Sequence, residues 1–298
     1  MAKLNTWLRA ARPRTVLLSF SGVMMGGFLA FTQDLFYPSV IVFAAFTAVL
    51  LQILSNLAND LGDFKKGTDN SRRKGPQREM QSGAISEKEM QIGIALVGVA
   101  ALFSGAILIF LVARLTWTEL AVFAALGLAA VVAALLYTLG KHPYGYRGLG
   151  DLFCFIFFGW AAVFGTYYLA TKNLDFSILL PASAMGFMSN AVLNINNMRD
   201  FENDRASGKN SLVVKIGLQR AYIYHLILII GAFLFLTLFC LIKQLSWFCY
   251  VFWLLAPLFA NDLVQIKKTE PEQLDPLLPK QVAKTFLLVL VFGVMVMI

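Results

Sequence analysis

Apolar residues fall in blocks of about twenty along this chain, and short polar connections separate the blocks. A helix of about 20 residues spans the hydrocarbon core of a bilayer, so each block predicts one transmembrane helix. The pattern therefore predicts an all-α fold, a polytopic membrane bundle of about nine helices. The expected spans are residues 16–31, 38–61, 90–112, 117–139, 152–172, 178–198, 221–242, 247–266 and 282–298.

The composition supports a membrane protein and argues against an ordinary soluble domain. Hydrophobic residues make up 58% of the 298 residues and charged residues only 14%, whereas a soluble domain is about one quarter charged. The three cysteines, Cys154, Cys240 and Cys249, lie in or beside apolar blocks and lack the spacing of metal ligands. We interpret them as packing residues.

The net charge of +8 raises the question of nucleic-acid binding, and the distribution of the cations argues against it. Nearly all Lys and Arg lie at the N-terminus and in every second connection, which is the positive-inside asymmetry of membrane proteins. This asymmetry predicts a cytoplasmic N-terminus and an outer C-terminus, with membrane lipid and no nucleic acid as partners. Only Arg114, Lys172 and Lys243 fall on the outer side.

The most informative polar stretch is the second acidic segment, residues 196–209, which reads NNMRDFENDRASGK. Asn196, Asp200 and Asp204 follow each other at four-residue steps, which places them on one face of a helix. Carboxylates stacked in this way repel each other, and near a bilayer they are costly, so a cation is expected between them. Oxygen ligands favour a hard ion such as Mg²⁺ or Ca²⁺.

The first acidic segment, residues 56–69, has the same character and reads NLANDLGDFKKGTD. It also ends an apolar block, and its polar residues follow at helical spacings of three and four. These residues are Asn56, Asn59, Asp60 and Asp63. Because both acidic segments are predicted at the cytoplasmic face, we expect them to form one shared site.

The connection 63–89 that follows the first acidic segment is rich in Lys and Arg. Cations beside carboxylates are what a site for Mg²⁺ and phosphate together requires, although such a run can also be a solvated face or a topology signal. Lys141 poses the same choice, because it either contacts phosphate or snorkels to the headgroups. Tyr137 lies four residues earlier, one helical turn deeper on the expected face. Asp151 is either a first-turn helix charge or a site residue.

The acidic segments end the second and sixth spans, four helices apart and at the same face of the membrane. An even number of intervening helices predicts a parallel repeat within one domain, residues 1–298. The expected halves are residues 15–141 and 150–266, followed by a final helix at 282–298.

Carboxylates and cations at the cytoplasmic end of an apolar bundle suit a ligand with a diphosphate head and a greasy tail, held in a central cavity. Metal ions and cations would stabilise a departing diphosphate, leaving an allylic carbocation that an aromatic nucleophile can trap. This chemistry is electrophilic prenylation. A divalent-cation transporter is the alternative of a different class, because intramembrane carboxylates often mark ion pathways. The position of both segments at one face, away from the midplane, argues against transport.

The chain resembles the UbiA-like intramembrane prenyltransferases, and within them the naphthoate subgroup of menaquinone biosynthesis. The matching stretches follow the family's order over most of the length. They are WLRAARPRT (7–15), NLANDLGDFKKGTD (56–69), RKGPQREMQSGAIS (73–86), YTLGKHPYGYRGLGD (137–151) and NNMRDFENDRASGKNSLVVKIG (196–217). The resemblance implies a polyprenyl diphosphate donor, a Mg²⁺ cofactor and a bacterial plasma (inner) membrane location.

Site residues also follow from the resemblance. It implies Mg²⁺ ligation by the carboxylates Asp60, Asp63, Asp200 and Asp204, and catalytic roles for these four together with Lys141 and Tyr137. It implies substrate contacts from Asn59, Arg73, Arg78, Asn196, Asn197, Lys209 and Arg14, with Arg12 beside Arg14. In the wider superfamily another Asp usually stands four residues after Asp63. Here that position is Gly67, and Asp69 follows two residues later, which leaves the role of Asp69 open.

The implied reaction transfers a polyprenyl chain to the ring carbon of 1,4-dihydroxy-2-naphthoate that bears the carboxylate. CO₂ and diphosphate are released, and a demethylmenaquinone is formed. The residues alone do not choose the ring, so 4-hydroxybenzoate, haem and chlorophyllide remain alternative acceptors.

Overall fold

The computed structural model describes residues 3–33, 36–70, 73–112 and 115–298. The described residues form helices and no strand. Arg114, one of the cations expected on the outer side, lies outside these ranges. The α-helices in chain order are α1 Leu4–Ala11, α2 Pro13–Phe31, α3 Pro38–Lys65, α4 Glu87–Leu111, α5 Trp117–Leu136, α6 Gly150–Cys154, α7 Thr166–Thr171, α8 Leu179–Arg199, α9 Phe201–Ala206, α10 Leu212–Ile216, α11 Leu218–Ile242, α12 Ala256–Lys268 and α13 Leu277–Met297.

Nine helical stretches in the described ranges are long and apolar enough to cross a membrane, so the prediction of an all-α membrane bundle is confirmed. Three of them are composite, and in one of these a 3₁₀ turn, Phe176–Ile178, precedes α8 within the span Phe176–Arg199. A π-helical segment, Phe155–Gly165, joins α6 to α7 into one span, Gly150–Thr171. A 3₁₀ segment, Trp247–Leu255, precedes α12 and completes the span Trp247–Lys268. The chain is an integral membrane protein.

The ends of the spans follow local sequence chemistry. Proline occupies the first helical position of α2 and of α3, where its missing N–H needs no partner. A capping box begins α4, in which the Ser86 side chain accepts from the Glu89 backbone and the Glu89 carboxylate accepts from the Ser86 backbone. Thr116 and Glu119 repeat this arrangement at the start of α5.

The bundle packs through close helix crossings at its centre. The α2 helix packs against α3, α13 and the π-helical segment, and α8 packs against α11 and the same segment. Gly22 and Gly26 lie one turn apart on α2, and a Cβ on Gly26 would come 2.5 Å from the carbonyl oxygen of Val163. Only a residue without a side chain permits this approach, as is common where helices cross in membranes.

The outer surface of α4 and α5 is apolar and exposed. Phe103 and Phe110 on α4 and Leu126 and Leu128 on α5 all project large side chains away from the protein. Water would disfavour such a surface, and lipid accepts it. The buried centre of the bundle is thus distinct from the lipid-facing surface of α4 and α5, as a site within the membrane requires.

Candidate active site

The first acidic segment is held at the end of α3 by tight packing against the end of α5. Thr138 is buried and donates a hydrogen bond of 3.0 Å to the carbonyl oxygen of Ala58. A Cβ on Gly62 would come 2.4 Å from the Thr138 hydroxyl oxygen. Because Asp60 and Asp63 flank this contact on the same helix, their carboxylates are fixed in a buried position, with relative exposures of 1% and 4%.

The second acidic segment does not form the single helix expected from its spacing. The α8 helix ends at Arg199, and Asp200 lies at the junction with α9, with φ −91° and ψ 7°. The expectation of one continuous helical face was therefore wrong at this point. The Asp204 N–H still donates to the Asp200 carbonyl oxygen at 2.8 Å. This bond keeps the two carboxylates on neighbouring turns although the helix axis is interrupted.

The structure brings the two acidic segments together. Lys209 lies between them, with its Nζ 3.5 Å from Asp63 Oδ2 and 3.8 Å from Asp204 Oδ1. The Asn203 side-chain amide donates to the Thr68 carbonyl oxygen at 2.8 Å, which joins the loops behind the carboxylates. The ends of the second and sixth spans therefore meet at one polar centre.

Arginine side chains surround the same centre. Arg12 donates a hydrogen bond to Asp60, and Arg78 lies 3.5 Å from the same carboxylate. Arg73 lies 3.2 Å from Asp69 and 3.9 Å from Asp200, so it also links the two segments. Burial and the neighbouring Arg78 lower the pKa of Arg73 to about 10, against the attraction of Asp200.

Arg199 holds Asp200 from within α8. Its guanidinium donates two hydrogen bonds to the Asp200 carboxylate, at 2.9 and 2.6 Å, and a third of 2.6 Å to Asp275. Burial raises the pKa of Asp200, but Arg199 outweighs this effect and holds that pKa below its usual value. The sequence indicated neither Arg199 nor Asp275, because their pairing depends on a loop 76 positions away.

Tyr146 is a second residue that sequence reasoning missed. Its hydroxyl donates to Asp63 at 2.7 Å and lies 2.6 Å from the Thr68 hydroxyl. The Lys209 ammonium lies 5.5 Å from the centre of its ring, within range of a cation–π interaction. Tyr146 lies within the stretch 137–151 that carries the family resemblance, and this is the sequence signal that points to it.

The carboxylates of the site differ in pKa: that of Asp200 is lowered, whereas those of Asp204 and Asp69 are raised. Burial raises the pKa of Asp204 to about 7, with repulsion from Asp200 and Asp63 acting against the attraction of Lys209. Burial likewise raises the pKa of Asp69 to about 6. Burial opposes the charge of Lys209, but Asp63 and Asp204 outweigh it and hold its pKa well above the usual value. A further cation beside Asp204 and Asp69 would therefore stabilise their charged forms.

The donor set suits a hard divalent cation that arrives with a phosphate ligand. Several buried oxygen atoms in the two segments accept no hydrogen bond, namely Asn59 Oδ1, both Asp69 carboxylate oxygens, Asn203 Oδ1 and Asp204 Oδ2. Such oxygens are ligands for Mg²⁺. Within the described ranges, no three acidic, His or Cys side chains converge into a metal cluster. A Mg²⁺ site of one or two carboxylates completed by phosphate oxygens fits both observations.

Some residues expected at the site lie at its edge. Lys141 is exposed on the turn after α5, and the expected shared helical face with Tyr137 was wrong, because α5 ends at Leu136 and Gly140 adopts φ +88°. Arg14 is 67% exposed and lies 3.9 Å from Asp275. Asn196 accepts from Arg199 at 2.9 Å.

Asn197 and Tyr137 lie closer to the polar centre. Asn197 is buried on the last turn of α8. The half-buried Tyr137 lies with its hydroxyl within electrostatic range of Lys209, Asp63, Asp151 and Asp204.

Sequence comparison identifies relatives over nearly the whole chain. A protein named 1,4-dihydroxy-2-naphthoate octaprenyltransferase from Haemophilus influenzae is 41% identical, with 98% of this chain and 95% of the relative covered. A protein of the same name from Escherichia coli is also 41% identical, with the same coverage. A third from Mycobacterium tuberculosis is 35% identical over 73% of this chain and 72% of its own length.

Solved structures share the fold. The apo structure of a UbiA homolog from Aeropyrum pernix K1 superimposes with a TM-score of 0.69 at 19% identity, covering 93% of this chain and 98% of that one. A UbiA homolog from Archaeoglobus fulgidus, bound to GPP and Mg²⁺, gives a TM-score of 0.68 at 15% identity, with 98% and 99% covered. The family model of the UbiA prenyltransferases matches residues 19–296. With these matches over the whole bundle, the chain belongs to the UbiA prenyltransferase family.

Proposed function

We propose that this enzyme transfers a polyprenyl group from polyprenyl diphosphate to 1,4-dihydroxy-2-naphthoate, releasing diphosphate and CO₂ and forming a demethylmenaquinone in its quinol form. The observation that carries the proposal is the 41% identity, over 98% of the chain, to two proteins named for this reaction. The paired acidic segments, joined by Lys209 and Arg73, supply the charges that the reaction needs.

The cations of the centre have a direct role in this proposal. Arg73, Arg78 and Lys209 contact the diphosphate when it enters, since each is a buried or nearly buried donor beside the carboxylates. Charge-assisted hydrogen bonds from such donors are about twice as strong as neutral ones. They stabilise the negative charge that develops on the leaving diphosphate, and this stabilisation grows as the C–O bond breaks.

The carboxylates Asp60, Asp63, Asp200 and Asp204 would hold Mg²⁺, with one or two of them at each ion and with Asn59 and Asn197 beside them. When bound, Mg²⁺ neutralises the diphosphate and makes it a better leaving group. Tyr146 and Lys209 keep the Asp63 carboxylate in place for this task.

The ring itself is the nucleophile, so no Ser, Cys or His side chain has to form a bond to the substrate. The protein's remaining contribution is position and the exclusion of water. We propose that the prenyl chain and the ring lie in a central cavity between the apolar helices. Its polar mouth would lie at the cytoplasmic side, and its apolar walls would keep water from reaching the allylic cation first.

The same proposal includes the topology. The N-terminus would lie in the cytoplasm of a bacterial cell and the C-terminus outside the plasma membrane, as the positive-inside asymmetry predicts. The two halves, residues 15–141 and 150–266, would each deliver one acidic segment to the shared site within a single domain.

The proposal is tested by incubating membranes that contain the protein with a mixture of prenyl diphosphates and each candidate acceptor. We expect prenylated naphthoquinol that has lost CO₂, identified by its mass, with 1,4-dihydroxy-2-naphthoate alone. Product from 4-hydroxybenzoate, haem or chlorophyllide in its place would assign another acceptor. Divalent-cation uptake into proteoliposomes without any prenylated product would instead support the transporter alternative.

A further inference from the structure

A second polar group, separate from the carboxylates that face the cations, lies deeper in the bundle. Tyr224 on α11 donates a hydrogen bond of 3.1 Å to Asp151 at the start of α6. The Asn190 side-chain amide on α8 lies 3.4 Å from the same Tyr224 hydroxyl. Three different helices thus contribute to one hydrogen-bonded group, which we call the Asp151 triad (Asp151, Tyr224 and Asn190).

The triad lies on the inner side of the proposed diphosphate site. Asn190 precedes Asn197 by seven residues on α8, which is two helical turns, or about 10 Å along the axis, on the same face. Gly150, the neighbour of Asp151, is close enough to Tyr137 that a Cβ there would come 3.4 Å from the Tyr137 hydroxyl oxygen. Tyr137 therefore lies close to the start of α6 and within electrostatic range of both Asp151 and the carboxylates that Lys209 bridges.

Two features of the triad favour a ligand that donates a hydrogen bond. Asn190 is only 4% exposed, and its Oδ1 accepts no hydrogen bond. Asp151 is 8% exposed, and no described Lys, Arg or His forms an ion pair with it. A buried acceptor and a buried carboxyl without a cation are both costly unless a donor reaches them.

A donor of the right kind is a hydroxyl on an aromatic ring. Diphosphate does not meet this need, since its oxygens accept hydrogen bonds and offer no donor to Asn190 Oδ1 or to the Asp151 carboxylate. An aromatic hydroxyl donates to a carboxylate or amide oxygen, and its ring can pack against the aromatic side chains of Tyr137 and Tyr224.

We propose that Asp151 is a catalytic residue that accepts the proton of a ring hydroxyl on the aromatic acceptor and later returns it, while Asn190 and Tyr224 position the ring. The proposal rests on the prenyl transfer proposed above, although it applies to any hydroxyarene acceptor.

Protons and electrons balance in the proposed reaction of the naphthoate. The C–O bond of the prenyl diphosphate breaks, and its electron pair leaves with the diphosphate. The ring carbon that bears the carboxylate forms the new C–C bond, while the hydroxyl proton passes to Asp151 and the adjacent ring C–O becomes a ketone. The bond to the carboxylate then breaks, CO₂ leaves, and its electron pair restores the aromatic ring. The resulting ring oxyanion takes back the proton from Asp151.

The test compares Asp151→Asn with the unsubstituted enzyme on two acceptors. Asparagine keeps the shape and accepts from Tyr224, but it cannot take up a proton. We expect kcat to fall by about 10²- to 10⁴-fold, with an unchanged apparent affinity for the prenyl diphosphate. On a ring-fluorinated naphthoate, whose hydroxyl is more acidic, the loss should shrink at least tenfold, because less help is needed to remove the proton.

A structural role for Asp151 would give a different result. An equal loss on both acceptors, or a kcat within about threefold of the unsubstituted enzyme, would overturn the proposal. Asp175→Asn, which changes a carboxyl near the opposite ends of the helices, is the matched control and should leave kcat unchanged. If Asp151→Asn does not fold, Asp151→Ser, which also accepts from Tyr224 and cannot take up a proton, is compared on the same two acceptors, and an equal loss on both again overturns the proposal.

A wrong assignment of the acceptor can be distinguished from a wrong role for Asp151. If the unsubstituted enzyme prenylates another hydroxyarene, the acceptor assignment fails, and the Asp151 comparison is made with that compound and its fluorinated form. If it prenylates no hydroxyarene at all, both proposals fail together.

Discussion

Lys209 Nζ lies 3.5 Å from Asp63 Oδ2, a contact between residues 146 positions apart in the chain. The same ammonium lies 3.8 Å from Asp204, so one buried cation holds a carboxylate from each acidic segment. This relationship converts two separate helix ends into one site. It also places a cation between the carboxylates of the two segments.

Replacing this bridge is expected to destabilise the protein in a metal-dependent way. Lys209→Met removes one partner from a buried ion pair, which typically costs about 3–5 kcal/mol because the other charges stay buried. We expect a lower thermal midpoint in detergent, partly recovered by Mg²⁺, because the ion supplies the missing positive charge. Lys88→Met, at an exposed position on α4, is the control. An unchanged midpoint for Lys209→Met would show that the bridge does not hold the segments together.

The four carboxylates are expected to be required for turnover. Asp60→Ala or Asp200→Ala should lower the rate by about 10²-fold or more at saturating substrate, since a lost metal ligand removes several kcal/mol of transition-state stabilisation. The proteins should still be extracted as folded species. Full activity in strong chelator, measured as prenylated product by mass, would contradict a metal-dependent mechanism.

The approach of α3 to the end of α5 leaves no room for a side chain. Gly62→Ala would place a Cβ 2.4 Å from the Thr138 hydroxyl oxygen, so the acidic tip of α3 must move. Overpacking of this kind costs about 1–3 kcal/mol, and we expect reduced activity along with a lower thermal midpoint. Gly127→Ala on α5 meets nothing within 4 Å and should be neutral. Equal behaviour of the two variants would argue that Asp60 and Asp63 are not positioned by this contact.

Two arginines near the N-terminus are expected to differ strongly. Arg12 adopts the left-handed conformation between α1 and α2, with φ 52°, and donates to the buried Asp60, whereas Arg14 is mostly exposed. Arg12→Gln leaves Asp60 with one arginine fewer and should raise the apparent KM for prenyl diphosphate by about tenfold or more. Arg14→Gln should change it by less than about threefold, as is usual for an exposed ion pair. Kinetics on the two purified variants decide between them, and a larger effect at Arg14 would contradict the geometry.

Much of the fold followed from local patterns. The spans were predictable because a chain segment in lipid must satisfy its own backbone hydrogen bonds, which a helix does. The helix must also be long enough to cross the bilayer, so the length of each apolar block predicts the length of its helix. The acidic segments were recognisable because carboxylates at helical spacing beside an apolar block have few structural uses. The ends were less accurate, since α3 continues to Lys65 and α5 stops at Leu136.

The sequence by itself therefore determined the membrane bundle and the chemical kind of the site, since both depend on residues that are neighbours along one helix. Tertiary structure alone decided which cation meets which carboxylate. It selected the buried Lys209 over the exposed Lys141, brought Tyr146 to Asp63, and placed Asp151 beside Tyr224. These contacts depend on how distant helices cross and on where a helix is interrupted, as at Asp200. The local periodicity of the sequence predicts neither of these features.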